Sequence, residues 1–144
     1  MTDRKATNVW EGDLRSGQGT TSFDSSGVID PVKVTWAART EAPGGKTSPE
    51  ELIAAAHASC YNMALSGALA KAGNAPERLE TSAVVTFSTE GGAHISKVAL
   101  TVRGTVPGMS KEDFTAAAEG AKDGCPVSKA LAGNVDLTLE AALS

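Results

Sequence analysis

The chain is poor in sulfur and in aromatic rings. Two cysteines stand among 144 residues, and Phe, Trp and Tyr together make up 4%. Two cysteines cannot form the dense disulfide framework that holds small secreted folds together. With so few rings, alanine and other small residues fill the interior. Helices then approach closely, the core of one chain is modest, and an oligomer that shares its core is favoured.

Positive charge is also scarce. Thirteen Lys and Arg face 17 Asp and Glu, leaving a net charge of −4 and a pI near 5.1. That balance argues against nucleic acid as a partner and supplies no basic face for an anionic membrane. No apolar run nears the roughly 20 residues that cross a bilayer. The opening "MTDRKATNVWEGDLR" is polar and charged, without the apolar stretch of a secretory leader. The expected compartment is the cytoplasm, where a cysteine pair that cycles is more reasonable than a permanent disulfide.

What is present reads as one domain over residues 1–144, with no repeat, linker or low-complexity tract. Three strands are predicted first, in "ATNVWEGDL", "GQGTTSF" and "VKVTWAART", separated by Ser16-Gly17 and by Ser25-Ser26-Gly27. Trp10 and Trp36 are expected to anchor this sheet. After the loop "EAPGGKT" a long helix is predicted, with Ser48 as N-cap, Pro49 at its first position and Gly73-Asn74 past its end. Glu51 falls at the third helical position and completes a capping box, which leaves Glu50 without a capping duty. A hairpin around Gly91-Gly92 follows, its second arm alternating Val98, Leu100 and Val102 inward. "SKEDFTAAAEGAKDG" reads as a helix capped by Ser110, with Phe114, Ala117, Ala118 and Ala121 on one face. A short helix starts at Pro126, and "VDLTLEAAL" alternates as a last strand, with Val135, Leu137, Leu139 and Ala141 on one side. The order β-β-β-α-β-β-α-α-β makes the fold α+β.

Cys60 falls in the long helix, in the stripe Leu52, Ala56, Cys60, Met63, Gly67. A free cysteine in such a stripe often serves as a small hydrophobe. Cys125, between Gly124 and Pro126, lies where the short helix begins, and amides there favour a thiolate. Cys60 is ten positions beyond Glu50, about 15 Å along a helix, so the helix dipole contributes little to its acidity. Activating it requires a cation, with a carboxylate to hold that cation. Arg39, expected at the end of the third strand, is the first candidate, and Arg15, in the first turn, the second. Because Glu50 and Cys60 are so far apart on one helix, an Arg39–Glu50 pair is expected to serve Cys60 of a second subunit across a two-fold axis. His57, one turn before Cys60, could act as a base or simply pack and hydrogen bond. A zinc site of His57, Cys60, His94 and Cys125 has no short-spaced ligand pair behind it.

Four strings together, "WEGDLRSGQGT", "SPEELIAAAHASCYNMALS", "VPGMSKEDF" and "GCPVSKAL", resemble the OsmC/Ohr family of thiol-dependent organic hydroperoxide reductases, and its OsmC branch most closely. The resemblance runs over nearly the whole chain. It implies two antiparallel sheets around long central helices, in an intertwined homodimer. It implies further that Cys60 is the peroxidatic cysteine, Cys125 the resolving cysteine, and Glu50 the carboxylate that fixes a catalytic arginine. Arg39 matches the OsmC-type arginine, whereas Arg15 lies nearer the position used in the Ohr branch. Met63, His57 and Arg15 are expected beside the substrate. Ser48 stands where many members carry asparagine, and either residue caps a helix.

The activity implied is reduction of organic hydroperoxides through a Cys60 sulfenic acid and a Cys60–Cys125 disulfide, in defence against peroxide or osmotic stress. An external dithiol such as a dihydrolipoyl group would reduce the disulfide, with no bound cofactor and no metal. Two other readings use the same residues: a binding protein for a small apolar ligand with inert thiols, and a redox-sensing dimer without turnover.

Overall fold

The computed structural model describes all residues, 1–144. The chain divides into two compact units, Met1–Leu52 and Ile53–Ser144.

In the first unit, strands β1 (Thr7–Glu11), β2 (Gln18–Ser22) and β3 (Val32–Val34) form an antiparallel sheet in that order. The third strand is shorter than "VKVTWAART" predicts. Thr35 is extended, at φ −141° and ψ 161°, and its hydroxyl accepts the Ala38 N–H at 3.1 Å. That local bond offers the backbone an alternative to the ladder, so helix α1 (Trp36–Thr40) starts where a strand was expected. Trp36 therefore lies on a helix rather than in the sheet. Trp10 stays in β1 but is 39% exposed, and its indole N–H donates to the Gly12 carbonyl at 3.0 Å. Trp10 thus lies on the sheet, its ring across Gly19 of β2, whereas Trp36 is not part of it.

Helix α2 (Pro49–Lys71) begins in this unit. Ser48 caps it by accepting the Glu51 N–H at 3.2 Å. The return half of the capping box is absent, because the Glu51 carboxylate takes the Thr47 hydroxyl instead. At the far end Gly73, with φ +88°, makes the left-handed turn that lets the Asn74 N–H reach the Leu69 carbonyl at 2.9 Å.

The second unit contains the rest of α2, strands β4 (Arg78–Ser88) and β5 (His94–Thr105), helices α3 (Lys111–Gly124) and α4 (Pro126–Leu131), and strand β6 (Asp136–Leu143). β4 and β5 form the expected hairpin, and β6 lies on the other side of β5, parallel to it, with Val98 opposite Leu137. The second sheet is thus mixed, not antiparallel throughout. The chain leaves β5, passes through two helices and re-enters in the same direction, as a parallel crossover requires. Val98, Leu100 and Val102 are buried on the face predicted for them, against Phe114, Ala118 and Ala121 of α3. Gly104 makes room for this packing: a Cβ there would stand 2.5 Å from two ring carbons of Phe114.

α2 buries a different stripe from the one its small residues outlined. His57, Tyr61, Leu65 and Leu69, four apart, are fully buried, whereas Ala56 and Gly67 are exposed and Met63 is 72% exposed. Large side chains remove more apolar area from water than alanine or glycine, so they select the inward face.

Candidate active site

Cys125 occupies the junction of two helices. Its N–H closes α3 on the Ala121 carbonyl and its carbonyl opens α4 by accepting the Lys129 N–H, each at 2.9 Å. The side chain is fully buried in the core. Burial raises its pKa, but the Ser128 amide, the Cys60 thiol, the Ser128 hydroxyl and the Val127 amide together outweigh burial and leave it lowered. No strict cap hydrogen bond reaches the neutral sulfur. Thiols are weak acceptors, and these donors matter once the sulfur is charged.

Cys60, on α2, is half-buried and packs against the same core cluster. Burial raises its pKa, the Val127 amide lowers it in part, and Cys125 raises it further. Each thiol also acts on the other, raising Cys60 and lowering Cys125. Both thiols are free. Cys125 is the more acidic of the two in a single chain.

His57 is fully buried, and its Nε2 lies 2.7 Å from the hydroxyl of Ser128, itself buried. Its Nδ1 has no partner. Burial lowers its pKa, so the ring is neutral at pH 7. Ser128 was not among the residues singled out from the sequence, although it follows Cys125 by three positions in "GCPVSKAL", one turn along α4. Tyr61 was also passed over. Its hydroxyl donates to the Ala118 carbonyl at 2.9 Å, tying α2 to α3 beside the sulfurs.

The first unit holds the cation. Arg39 donates through Nε and one Nη to the same oxygen of Glu50, at 2.9 and 2.8 Å. The guanidinium also stands 6.0 Å from the Trp36 ring centre. Glu50 is buried, and its other oxygen, Oε2, has no partner. The carboxylate freed from capping duty is thus the one that orients an arginine. Around this pair lies a cleft of about 380 Å³ whose walls include Trp10, Leu14, Val34, Trp36, Arg39 and Leu52. It is apolar apart from a few groups, one of them a guanidinium.

Arg15 sits in the β1–β2 turn, exposed, with its N–H on the Asp13 carboxylate at 2.8 Å. Met63 projects from the exposed side of α2. His94 begins β5, also exposed, and its ring bonds the Gly92 carbonyl. No three His, Cys, Asp or Glu side chains gather as a metal site would need, so the zinc set is not assembled in this chain.

A model of the OsmC-like protein family matches residues 42–140. The chain is 41% identical over 135 residues to peroxiredoxin OsmC of Escherichia coli (strain K12), covering 93% of each. It is 33% identical over 140 residues to organic hydroperoxide resistance protein-like 1 of Staphylococcus epidermidis, covering 95% of this chain and 92% of that one. Among solved structures, an organic hydroperoxide resistance protein from Elizabethkingia anophelis, with crystallant-derived thiocyanate bound, matches with a TM-score of 0.78. That likeness is at 25% identity and covers 100% of this chain and 98% of that one. Matched by the family model over the segment that contains Glu50 and both cysteines, and by relatives over nearly its whole length, the chain belongs to the OsmC-like protein family.

Proposed function

We propose that this protein is a thiol-dependent peroxidase that reduces organic hydroperoxides to alcohols and protects against peroxide stress. The observation that carries the reading is the Cys60–Cys125 pair: two free thiols packed in one core cluster, each shifting the other's acidity, one half-exposed and one buried. The names borne by the E. coli and S. epidermidis relatives support the same activity.

Cys60, as thiolate, attacks the distal oxygen of ROOH. The S–O bond forms, the O–O bond breaks, and RO⁻ leaves and takes up a proton as the alcohol. Cys60 is then a sulfenic acid, and the Cys125 thiolate displaces hydroxide from it, which leaves as water, to form a disulfide. A dithiol of the dihydrolipoyl class restores both thiols by exchange. No metal or bound cofactor enters these steps.

Cys60 is the less acidic sulfur of the pair, so its attack depends on a cation that favours its anion. Arg39, fixed by Glu50, supplies that charge and stabilises the oxyanion leaving the peroxide. The ten-position spacing of Glu50 and Cys60 assigns the arginine to the Cys60 of a second copy, which makes the active unit a homodimer. The partnerless Glu50 oxygen and the exposed small-residue side of α2 are consistent with a second chain there. The cleft beside Arg39 receives the alkyl part of the substrate, which favours alkyl or fatty-acid peroxides over hydrogen peroxide. Reducing the disulfide again requires a compartment that supplies thiols, and we place the protein in the cytoplasm.

That cleft also suits a protein that only binds a small apolar ligand, and turnover separates the two readings. With cumene hydroperoxide and dihydrolipoamide, wild-type protein should consume peroxide over many cycles, and Cys60→Ser protein should consume none. Equal rates for the two would end the peroxidase reading.

A further inference from the structure

His57 and Ser128 take no part in the steps above, yet they are two of the four buried polar side chains in the chain. An apolar pair would fill the same space without the cost of burying an imidazole and a hydroxyl. Their bond, 2.7 Å between residues 71 positions apart, leaves Nδ1 of His57 without a partner. A buried N–H without an acceptor is the costlier orphan, so we assign the ring proton to Nε2. Nε2–H then donates to Ser128, which leaves the hydroxyl proton of Ser128, one turn beyond Cys125 at the start of α4, to serve that sulfur once it is charged.

The need for such a donor follows from burial. Cys60 is half-exposed and Cys125 is not exposed at all. An incoming thiolate therefore reaches Cys60, and the sulfur expelled is the one in the core. A thiolate formed there has no water, and it forms readily only where donors already surround it.

We propose that Ser128, positioned by His57, is the hydroxyl that holds Cys125 as the leaving thiolate when the Cys60–Cys125 disulfide is reduced, and that it thereby directs the reductant to Cys60. The inference rests on the peroxidase reading for its disulfide. In the step, one sulfur of the dithiol, as thiolate, bonds to Cys60 Sγ. The Cys60–Cys125 bond breaks and its electron pair stays on Cys125, under the Ser128 hydroxyl and the Val127 and Ser128 amides. The second sulfur of the dithiol then attacks the mixed disulfide, closes the dithiol into its oxidised ring and releases Cys60. The proton of that second thiol, and the one released to water when the first ionised, end on the two protein sulfurs, so two thiols are regenerated for one dithiol oxidised. A lower leaving-group pKa speeds such an exchange, so Ser128 acts on the leaving sulfur itself and His57 is the positioning residue of the reductive half-reaction.

The test oxidises wild-type, Ser128→Ala and Ser128→Thr protein with cumene hydroperoxide, then follows thiol recovery with dihydrolipoamide. Ser128→Ala should recover about tenfold more slowly, the size of one hydrogen bond to an anion, while Ser128→Thr, which keeps the hydroxyl, stays within about twofold. In a Cys60→Ala background, thiolate absorbance should show Cys125 titrating at higher pH once Ser128 is alanine. A monothiol quench should place the adduct on Cys60 in wild type and partly on Cys125 in Ser128→Ala. If Ser128→Ala does not fold, His57→Leu replaces it with the same expectations. Recovery at the wild-type rate together with an unmoved Cys125 titration overturns the proposal. If wild type forms no Cys60–Cys125 disulfide, the peroxidase reading fails instead, and the titration still decides whether Ser128 acts on Cys125.

Discussion

The two units carry their reactive groups in opposite ways. In the first, the charge exists before any chemistry: Arg39 and Glu50 are joined by two hydrogen bonds to one oxygen, and the guanidinium borders an apolar cleft. In the second, charge has to be made. Cys60 and Cys125 sit in or against a core of Tyr61, Leu65, Val98, Leu100 and Phe114, where burial opposes both thiolates. The difference teaches a division of labour. A permanent ion keeps its charge beside an apolar cleft because a buried partner orients it, whereas a nucleophile that must exchange protons and form a bond gains from a rigid interior around both sulfurs.

Removing the permanent charge should give the larger effect. Arg39→Ala is expected to lower kcat/KM for cumene hydroperoxide by about 10²–10³, the range for loss of one preorganised oxyanion donor. The sign of the accompanying pH change follows from the same charge. An arginine lowers the pKa of Cys60, so without it the rate–pH profile should shift to higher pH. Steady-state assays between pH 5 and 9 check both, and a variant within threefold of wild type at every pH would break the contrast between the units.

Loosening the interior should cost less in rate than in stability. Phe114→Ala empties the ring site under β5 and is expected to lower unfolding free energy by about 3–5 kcal/mol in urea titrations. Gly104 sharpens this test. Gly104→Ala should be harmful with Phe114 present, because the new methyl meets the ring, and better tolerated in Phe114→Ala, so the two changes should not add. Additive losses would mean that the glycine is not there for the ring.

Much of the second unit was legible in the sequence for one reason: its signals are local. Ser110 caps α3 by accepting the Asp113 N–H, as its position before the helix implied. The period-2 pattern of β5 and β6 identified their inward faces, and Cys125-Pro126 marked the start of α4. The misreadings came from competition between local and distant effects. Thr35 could extend a strand or cap a helix, and its hydroxyl bond to Ala38 N–H decided for the helix. On α2, small residues and large ones marked different faces, and area decided for Tyr61, Leu65 and Leu69.

The site divides along the same line. Arg39 and Glu50 were picked out by residue type and spacing and are hydrogen bonded to each other, while the two cysteines, whose pairing the family resemblance implied, lie in one core cluster. Ser128 was not, because a serine on a short helix acquires meaning only when His57, 71 positions earlier in the chain, folds against it. The order of acidity was also out of reach. That Cys125 lies below Cys60 depends on which amides and hydroxyl face each sulfur, and spacing does not encode this.

The most direct measurement is the mass and peptide map of protein quenched after one equivalent of cumene hydroperoxide without reductant. If the two sulfurs act as a pair, each chain should be lighter by two hydrogens and yield one linked peptide joining Cys60 to Cys125. A chain that instead gains oxygen at Cys60, with Cys125 still titrating as a free thiol, would contradict it.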